Sequence, residues 1–394
     1  MNKSKLSKNV IVLGLVSFFN DCASEMVYPV VPIFLTATLG APVAVVGLIE
    51  GIAESTASLL KVISGWLSDK FRKRKIFVVA GYSFSTFSKI VIGFAQSWPL
   101  VLLGRFADRF GKGVRTSARD ALISESADGS IQGKAFGFHR ALDSLGAVVG
   151  PLTAVFLINY FGGNLRPIFY LAFIPGAVGV FLLLSLVKEK PFFKKTSQSP
   201  KISFKNLTPA FKIFLAASTL FALGNSSDAF LILKAKNLGL TTSLAVFAYV
   251  VFNLFYALFS TPAGILSDKI GPKKLLSFGF FFFALIYLLF GFTQSTFLVW
   301  LLFAVYGIYM AMTEGVGKAY ISQIGEEESL ATSFGVYQTV VGFCTFFASL
   351  IAGLLWSKIN PSAPFIFGAA LATLAGVIFL LFSVNYDLQK EVRK

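Results

Sequence analysis

The amino-acid sequence predicts an all-α membrane protein with twelve transmembrane helices in two pseudo-symmetric six-helix bundles. Hydrophobic residues make up 55% of the chain and charged residues only 14%, a composition far from that of a soluble domain. The hydrophobic residues form runs of about 20 or more, the length that an α-helix needs to cross a bilayer. One short polar motif occurs twice, about half a chain apart, so the predicted helices fall into two similar halves.

Twelve runs of suitable length are expected to form spans 1 to 12. The first run follows a basic N-terminal segment, but it is too long for the apolar core of a signal peptide and therefore predicts an uncleaved helix. The expected domains are an N-terminal bundle (1–190), a cytoplasmic linker (191–210) and a C-terminal bundle (211–394). The spans are predicted at residues 9–37, 42–68, 76–95, 98–124, 135–161, 166–187, 211–238, 242–266, 275–293, 296–324, 329–357 and 361–385.

The repeated motif follows span 2 and span 8. Residues 65–75 read Gly-Trp-Leu-Ser-Asp-Lys-Phe-Arg-Lys-Arg-Lys, and residues 264–274 read Gly-Ile-Leu-Ser-Asp-Lys-Ile-Gly-Pro-Lys-Lys. A weaker echo joins the start of span 5, at residues 135–140, to the start of span 11, at residues 333–338. Such internal repeats are typical of transporters that move one half against the other around a site near the bilayer midplane.

The distribution of basic residues predicts the orientation of the helices. The formal net charge is +16, but the basic residues cluster at the N-terminus, in 70–75, in 188–205, in 269–274 and at the C-terminus. All these segments lie on one side if twelve helices alternate, and the positive-inside rule makes that side cytoplasmic. We therefore expect a multi-pass protein of the inner or plasma membrane with both termini in the cytoplasm, and no nucleic-acid partner.

The motif after span 2 resembles the cytoplasmic signature of the major facilitator superfamily, in which Gly, three residues and Asp precede basic residues. In span 5, Gly146-Ala-Val-Val-Gly150-Pro151 resembles a motif of proton-coupled efflux antiporters in that family, although Ala154-Val155 replaces its closing Gly-Gly. In span 4, the stretch from Arg105 to Gly111 resembles a family motif with a buried arginine. The resemblance implies two six-helix bundles and alternating access.

Charged residues placed deep in the predicted spans are the candidates for chemistry. A charge at the bilayer centre costs about 2.5–3.5 kcal/mol on insertion scales, so these side chains are expected to face one another or a wet cavity. Most of them lie in the N-terminal half, which favours that half for ion coupling. The candidates for proton coupling and the substrate cavity are Asp21, Glu25, Tyr28, Glu50, Glu54, Arg105, Asp108, Arg109, Asp228, Glu314 and Lys318.

Asp21 and Glu25 are the strongest candidates for the proton site, because they share one face of span 1 at membrane depth. Burial favours a protonated carboxyl, whereas a neighbouring guanidinium favours the ionised form. Arg105 and Arg109 in span 4 are the expected neighbours. A carboxyl that is neutral on one side of the membrane and ionised on the other can couple proton flux to substrate flux.

A second group is expected to act as a gate. Charged residues near the cytoplasmic ends favour ion pairs that hold a closed state, and the family resemblance implies that Asp69 belongs to such a latch. The residues assigned to gating are Gly65, Asp69, Arg119, Arg140, Asp143, Gly150, Pro151, Gly264 and Asp268.

The sequence thus predicts a secondary transporter that exports a small polar, zwitterionic or anionic molecule by proton antiport. An importer or symporter of a metabolite or metal chelate is one alternative, and a lipid flippase is another. We expect no enzyme activity, cofactor or metal site, because no nucleophile–base set, phosphate loop or metal cluster is visible. The expected partners are a small-molecule substrate, protons and the lipid bilayer, and the chain is expected to be a monomer.

Overall fold

The computed structural model describes residues 6–71, 73–126, 132–189, 208–324 and 330–392. All regular secondary structure in these ranges is helical. The helices are α1 (Lys8–Val27), α2 (Val31–Ile33), α3 (Val43–Phe71), α4 (Lys75–Gly93), α5 (Trp98–Ser126), α6 (Gln132–Tyr160), α7 (Arg166–Leu186), α8 (Pro209–Gly224), α9 (Ala229–Asn237), α10 (Thr242–Ile270), α11 (Pro272–Phe292), α12 (Thr296–Ile324), α13 (Leu330–Lys358) and α14 (Ala363–Val392).

The predicted all-α membrane fold is confirmed. Among the described residues, eleven helical segments are long and apolar enough to cross a membrane. The remaining predicted span, 98–124, corresponds to α5, which has the required length but carries many charges. Four of those charged side chains, Arg105, Asp108, Arg109 and Arg115, are buried inside the protein rather than facing lipid, so a helix of this length can still be accommodated in a bilayer.

The predicted spans 9–37 and 211–238 correspond to the membrane-length segments Lys8–Thr38 and Pro209–Asn237, but each of these segments contains an interruption that the sequence interpretation did not include. Helix α1 ends at Val27, and Pro29, which lacks a backbone N–H, lies between it and α2, which continues into a π-helical turn, Phe34–Thr38. Helix α8 ends at Gly224, and α9 begins at Ala229. The two breaks lie almost as far apart along the chain as the two copies of the polar motif.

The second break has a local chemical cause. Residues 225–228 are Asn-Ser-Ser-Asp, whose side chains compete with the helix for backbone groups. The Ser227 hydroxyl accepts a hydrogen bond from the Ala229 N–H at 3.3 Å, and the Ser349 hydroxyl accepts one from the Ser227 N–H at 3.3 Å. Side chains thus satisfy backbone groups that the helix leaves free.

The described residues divide into two compact units. The first comprises those up to Glu189 together with Leu240–Val250, and the second comprises those from Thr208 to Gly239 and from Val251 onward. The predicted limits of the domains and linker remain a prediction, because residues 190–207 lie outside the described part of the chain.

Two sets of helix contacts build the first unit. Helix α1 packs along α6 and α7, and α5 packs between α3 and α4. An apolar core near the start of α1 includes Val10, Leu13, Tyr82, Leu122 and Leu183. This core fixes α1, α4, α5 and α7 relative to one another and so holds their charged faces in place.

The second unit has an aromatic core. Helices α8, α11 and α14 pack on one another, and Phe214, Phe280, Tyr320 and Phe379 meet at their contact. The ring centroids of Phe214 and Tyr320 are 5.1 Å apart in an edge-to-face arrangement. Aromatic pairs of this kind add about 0.5–1.5 kcal/mol each beyond their buried area. The second unit is therefore held by apolar packing, whereas the first also buries many charges.

Candidate functional site

The deepest charged pair of the first unit joins α3 to α5. Arg105 donates from Nε to Glu50 Oε1 at 3.0 Å and from Nη2 to Glu50 Oε2 at 2.7 Å. Both side chains are about 1% exposed. Two parallel bonds between a guanidinium and a carboxylate are the strongest arrangement for such a pair. These two predicted cavity residues therefore bind each other in the protein interior and are closed to solvent.

Asp108 extends this buried cluster to α4. Its carboxylate lies 3.2 Å from Lys89 Nζ and 3.5 Å from Arg105 Nη1, and it accepts a hydrogen bond from Ser85. The sequence interpretation missed Lys89, which is 1% exposed and also donates to the Ser85 carbonyl at 2.6 Å. A lone lysine in the middle of the apolar run 76–95 was the signal that could have revealed it.

One turn along α5, a second pair is partly accessible. Arg109 Nη2 lies 2.8 Å from Glu54 Oε1, and the Glu54 side chain retains 33% of its exposure. Both Arg105 and Arg109 lie over the ring of Tyr28, with guanidinium carbons 5.4 and 5.6 Å from its centroid. Tyr28, the residue that follows α1, thus contacts the arginine of the closed pair and the arginine of the accessible one.

Glu25 lies beside this accessible pair. The Tyr249 hydroxyl donates to Glu25 Oε2 at 3.2 Å, and the rings of Tyr28 and Tyr249 are 5.5 Å apart. Tyr249 belongs to the segment of α10 that is part of the first unit. Lys112, Arg109 and Arg105 are the cations that act most strongly on Glu25. The structure therefore places Glu25, Tyr28, Glu54 and Arg109 together, but not with Asp21.

Asp21 has a different neighbour from the one expected. Its Oδ1 lies 3.9 Å from Nη2 of Arg115, whereas Arg105 and Arg109 pair with Glu50 and Glu54. The expectation that Asp21 pairs with these two arginines is therefore wrong. Asp21 is one turn closer than Glu25 to the start of α1, and this shift is enough to pair it with a different turn of α5.

The predicted gating residues of α5 and α6 lie around the same turn. Asp143 accepts a hydrogen bond from the Ser17 hydroxyl at 2.6 Å and lies 3.4 Å from Arg140 Nη1. Arg119 pairs with its neighbour Asp120 at 2.9 Å and donates to Ser17 at 3.4 Å. His139 is buried close to these groups. Asp143 is thus joined to α1, which the sequence did not suggest.

The other gating candidates fall into two groups. A Cβ atom added at Gly65 would lie 3.2 Å from Ser117 Cβ, so Gly65 permits the close contact of α3 with α5, whereas Gly264 has open space around it. Pro151 lies within α6, directly after Gly150. The side chains of Asp69 and Asp268 lie outside the part of the structure that is described, so their gating role remains a prediction.

The candidates of the second unit occupy two places. Asp228, at the break before α9, accepts a hydrogen bond from the Tyr306 hydroxyl at 2.8 Å. Glu314 on α12 accepts one from Tyr256, and Lys318 follows it by one turn. Within the described residues, no group of His, Cys, Asp and Glu side chains could hold a metal ion, and Cys22 and Cys344 are free and buried.

Comparison with known proteins agrees with this architecture. The sequence profile of the Major Facilitator Superfamily matches residues 13–233 and 213–394. The uncharacterized MFS-type transporter MJ1317 of Methanocaldococcus jannaschii is 40% identical over 385 residues, which cover 96% of each protein. The multidrug resistance protein MdtG of Escherichia fergusonii is 26% identical over 302 residues, 73% of each protein.

A solved structure shares the fold. The crystal structure of the POT family transporter PepTSo superimposes with a TM-score of 0.80 at 13% sequence identity. The match covers 98% of this chain and 99% of that one. At this identity the likeness concerns the arrangement of helices alone.

Proposed function

The chain belongs to the Major Facilitator Superfamily and is a multi-pass membrane transporter, and from the charged residues of α1, α3 and α5 we propose that it exports a small anionic or zwitterionic molecule in exchange for protons. The observation that carries this proposal is the contrast between the two ion pairs on α5. Arg105–Glu50 is closed to solvent, whereas Arg109–Glu54 is accessible through Glu54.

Arg109 has the properties of a group that binds an anion reversibly. Its Nε is buried and has no hydrogen-bond partner among the described residues. Its Nη2 pairs with the carboxylate of Glu54, which solvent can reach. A guanidinium presents five N–H donors in a fixed fork, which suits a carboxylate or phosphate group. A substrate anion would compete with Glu54 for Arg109 and would also find Lys112 nearby.

The carboxylates of Glu25 and Asp21 on α1 supply the proton chemistry of the proposal. Glu25 and Asp21 are partly accessible and lie at membrane depth on α1, which places an acid next to a cation in each case. Antiport requires that proton and substrate exclude each other at this site. An ionised carboxylate can bind the ammonium group of a zwitterionic substrate whose own carboxylate meets Arg109, and a proton that arrives at the carboxyl removes this contact and releases the substrate. The direction assigned to this chain rests on the Gly-x-x-x-Gly-Pro motif and on the likeness to MdtG, whose name refers to multidrug resistance.

Transport in proteoliposomes under an imposed pH gradient tests the proposal. With an acidic lumen, an antiporter accumulates substrate as protons leave, whatever the orientation of the protein in the membrane. We expect accumulation of carboxylates, phosphates or amino acids from a mixed panel, and little accumulation of hydrophobic cations. Arg109→Gln should reduce uptake at least tenfold, whereas Arg166→Gln, which removes a guanidinium that binds the Gly93 carbonyl, should retain it.

Three results would overturn the proposal in different ways. Accumulation only with an acidic exterior would indicate symport, and accumulation driven only by a sodium gradient would indicate a different coupling ion. Movement of fluorescent phospholipid between leaflets without uptake of any solute would favour the flippase alternative. Normal anion uptake by Arg109→Gln would leave the transporter assignment intact and remove Arg109 from the substrate site.

A further inference from the structure

Helices α1 and α6 approach each other closely at two glycines. A Cβ atom added at Gly146 would lie 2.7 Å from the Phe18 carbonyl oxygen and 3.1 Å from Asp21 Cβ. One added at Gly150 would lie 3.0 Å from the Met26 nitrogen. Small residues four positions apart allow such backbone contact between membrane helices. The contact sets the spacing between all other side chains on the two facing surfaces.

This close contact brings two carboxyl groups together. Asp143 lies one turn before Gly146 on α6, so its carboxyl and that of Asp21 enter the same region of contact between α6 and α1. Ser17, one turn before Asp21, donates to Asp143 from the same face of α1. The side chains of Asp21 and Asp143 retain 22% and 18% of their exposure. Both acids are thus part of one site that water can reach, about 20 Å from the start of α1.

The charged groups around this pair come from two helices. Helix α5 contributes Lys112, Arg115 and Arg119, and α6 contributes His139 and Arg140. On α1, Cys22 follows Asp21 directly and Glu25 lies one turn beyond it, and Tyr82 of α4 lies against the Arg115 guanidinium. The cations that border the pair thus lie on α5 and α6.

Arg115, one of these surrounding groups, is buried but incompletely hydrogen-bonded. Its side chain is only 4% exposed, yet Nε and Nη1 have no hydrogen-bond partner among the described residues. The guanidinium lies over the ring of Tyr82, at 4.6 Å from the centroid, and reaches Asp21 only at 3.9 Å. Buried donors without a partner are costly, so these two N–H groups point to a second arrangement in which an acceptor meets them.

We propose that Asp21 and Asp143 form one proton-binding site, in which a single proton is shared between the two carboxyls. Two ionised carboxylates held side by side repel each other, so one of them favours a proton, through which the two groups can share a hydrogen bond. When that proton leaves, both carboxyls can only accept hydrogen bonds. The N–H groups of Arg115 that lack a partner then donate to Asp21, while Asp143 keeps its contacts with Ser17 and Arg140. This proposal rests on the proposed proton coupling, and it adds Asp143 as a direct carrier of the proton rather than a latch.

Infrared spectroscopy of the purified protein in liposomes tests the shared proton without substrate or gradient. A protonated carboxylic acid gives a C=O stretching band that an ionised carboxylate lacks. We expect a band in the wild-type protein that disappears as the pH rises and that is lost in both Asp21→Asn and Asp143→Asn. The matched control is Asp120→Asn, which removes another carboxylate beside Arg119 and should retain the band.

A band that persists unchanged in Asp143→Asn would overturn the shared site and leave Asp21 to act alone. If Asp143→Asn does not fold, Ser17→Ala provides the second test, because it removes only the hydroxyl that holds Asp143. Its band should titrate with a different midpoint pH, and an unchanged midpoint would contradict the proposal.

The failure of this proposal is distinguishable from that of proton coupling. A band that behaves as expected, with transport that ignores the pH gradient, would retain the shared site and reject antiport. Gradient-driven transport that survives in Asp143→Asn, together with a retained band, would retain antiport and reject the shared site.

Discussion

Loss of the Glu50 carboxylate is expected to destabilise the protein far more than loss of Glu54. Glu50→Gln removes the carboxylate that binds Arg105 through two hydrogen bonds, at a site where both side chains are about 1% exposed, and leaves Asp108 at 3.5 Å as the counter-charge of Arg105. Removal of one partner from a buried ion pair costs about 3–5 kcal/mol, and we expect the lower half of this range because Asp108 still compensates Arg105 in part. Glu54→Gln changes a pair whose carboxylate is one-third exposed, so we expect about 1 kcal/mol, as for exposed pairs.

The difference between the stability losses expected for Glu50→Gln and Glu54→Gln corresponds to about two orders of magnitude in the unfolding equilibrium constant, since each 1.4 kcal/mol is tenfold. It can be measured by equilibrium unfolding in mixed detergent micelles with tryptophan fluorescence as the readout. The double variant Glu50→Gln/Arg105→Met provides the internal control, because replacement of both partners removes the uncompensated charge and should recover most of the loss. Equal losses for Glu50→Gln and Glu54→Gln, or a double variant that is less stable than Glu50→Gln, would refute the reasoning.

Three further predictions follow from the motifs and the helix contacts. Cysteines introduced at 38–41 should react with a membrane-impermeant reagent from outside intact cells, and those at 69–75 only after lysis; the opposite pattern would reverse the predicted orientation. Asp69→Asn should slow turnover and Asp268→Asn should do so less, as measured by exchange in proteoliposomes, and lost substrate binding in Asp69→Asn would place this residue in the site rather than the gate. Gly150→Val should lower stability by about 1–3 kcal/mol because its side chain meets the α1 backbone, and an unchanged unfolding midpoint would show that the helices can separate freely.

The sequence predicted the helices well because bilayer thickness constrains their length so strongly. The predicted span 296–324 coincides with α12, and the predicted span 166–187 differs from α7 by a single residue. The interruption at 225–228 was missed because the flanking runs are apolar enough to suggest one continuous helix. Only the competition of side chains for backbone groups, which depends on Ser349 from a distant helix, ends α8 at Gly224.

The candidate site was predicted less completely than the fold. Helical periodicity identifies which charged residues share a face. It placed Arg105 and Arg109 on one face of α5, and both side chains are buried in the protein interior. It does not reveal which turn of a neighbouring helix they meet, and this is why Glu50 rather than Asp21 is the partner of Arg105. The contact of Asp143 with Ser17 depends on the close approach of α1 and α6, which periodicity within one helix does not encode.

The interruptions of α1 and α8 also constrain how each unit can be exposed to lipid. Hydrocarbon cannot hydrogen-bond to a peptide group, so an irregular segment at membrane depth must be covered by protein or water. Ser226 and Ser227, at the interruption after α8, are only 7% and 8% exposed, and Val30, at the one after α1, is fully buried. By contrast, Phe156 and Phe181 are each more than 60% exposed. Each unit therefore has one side that acyl chains cannot solvate, and the Phe-rich surfaces are the ones available to the surrounding lipids.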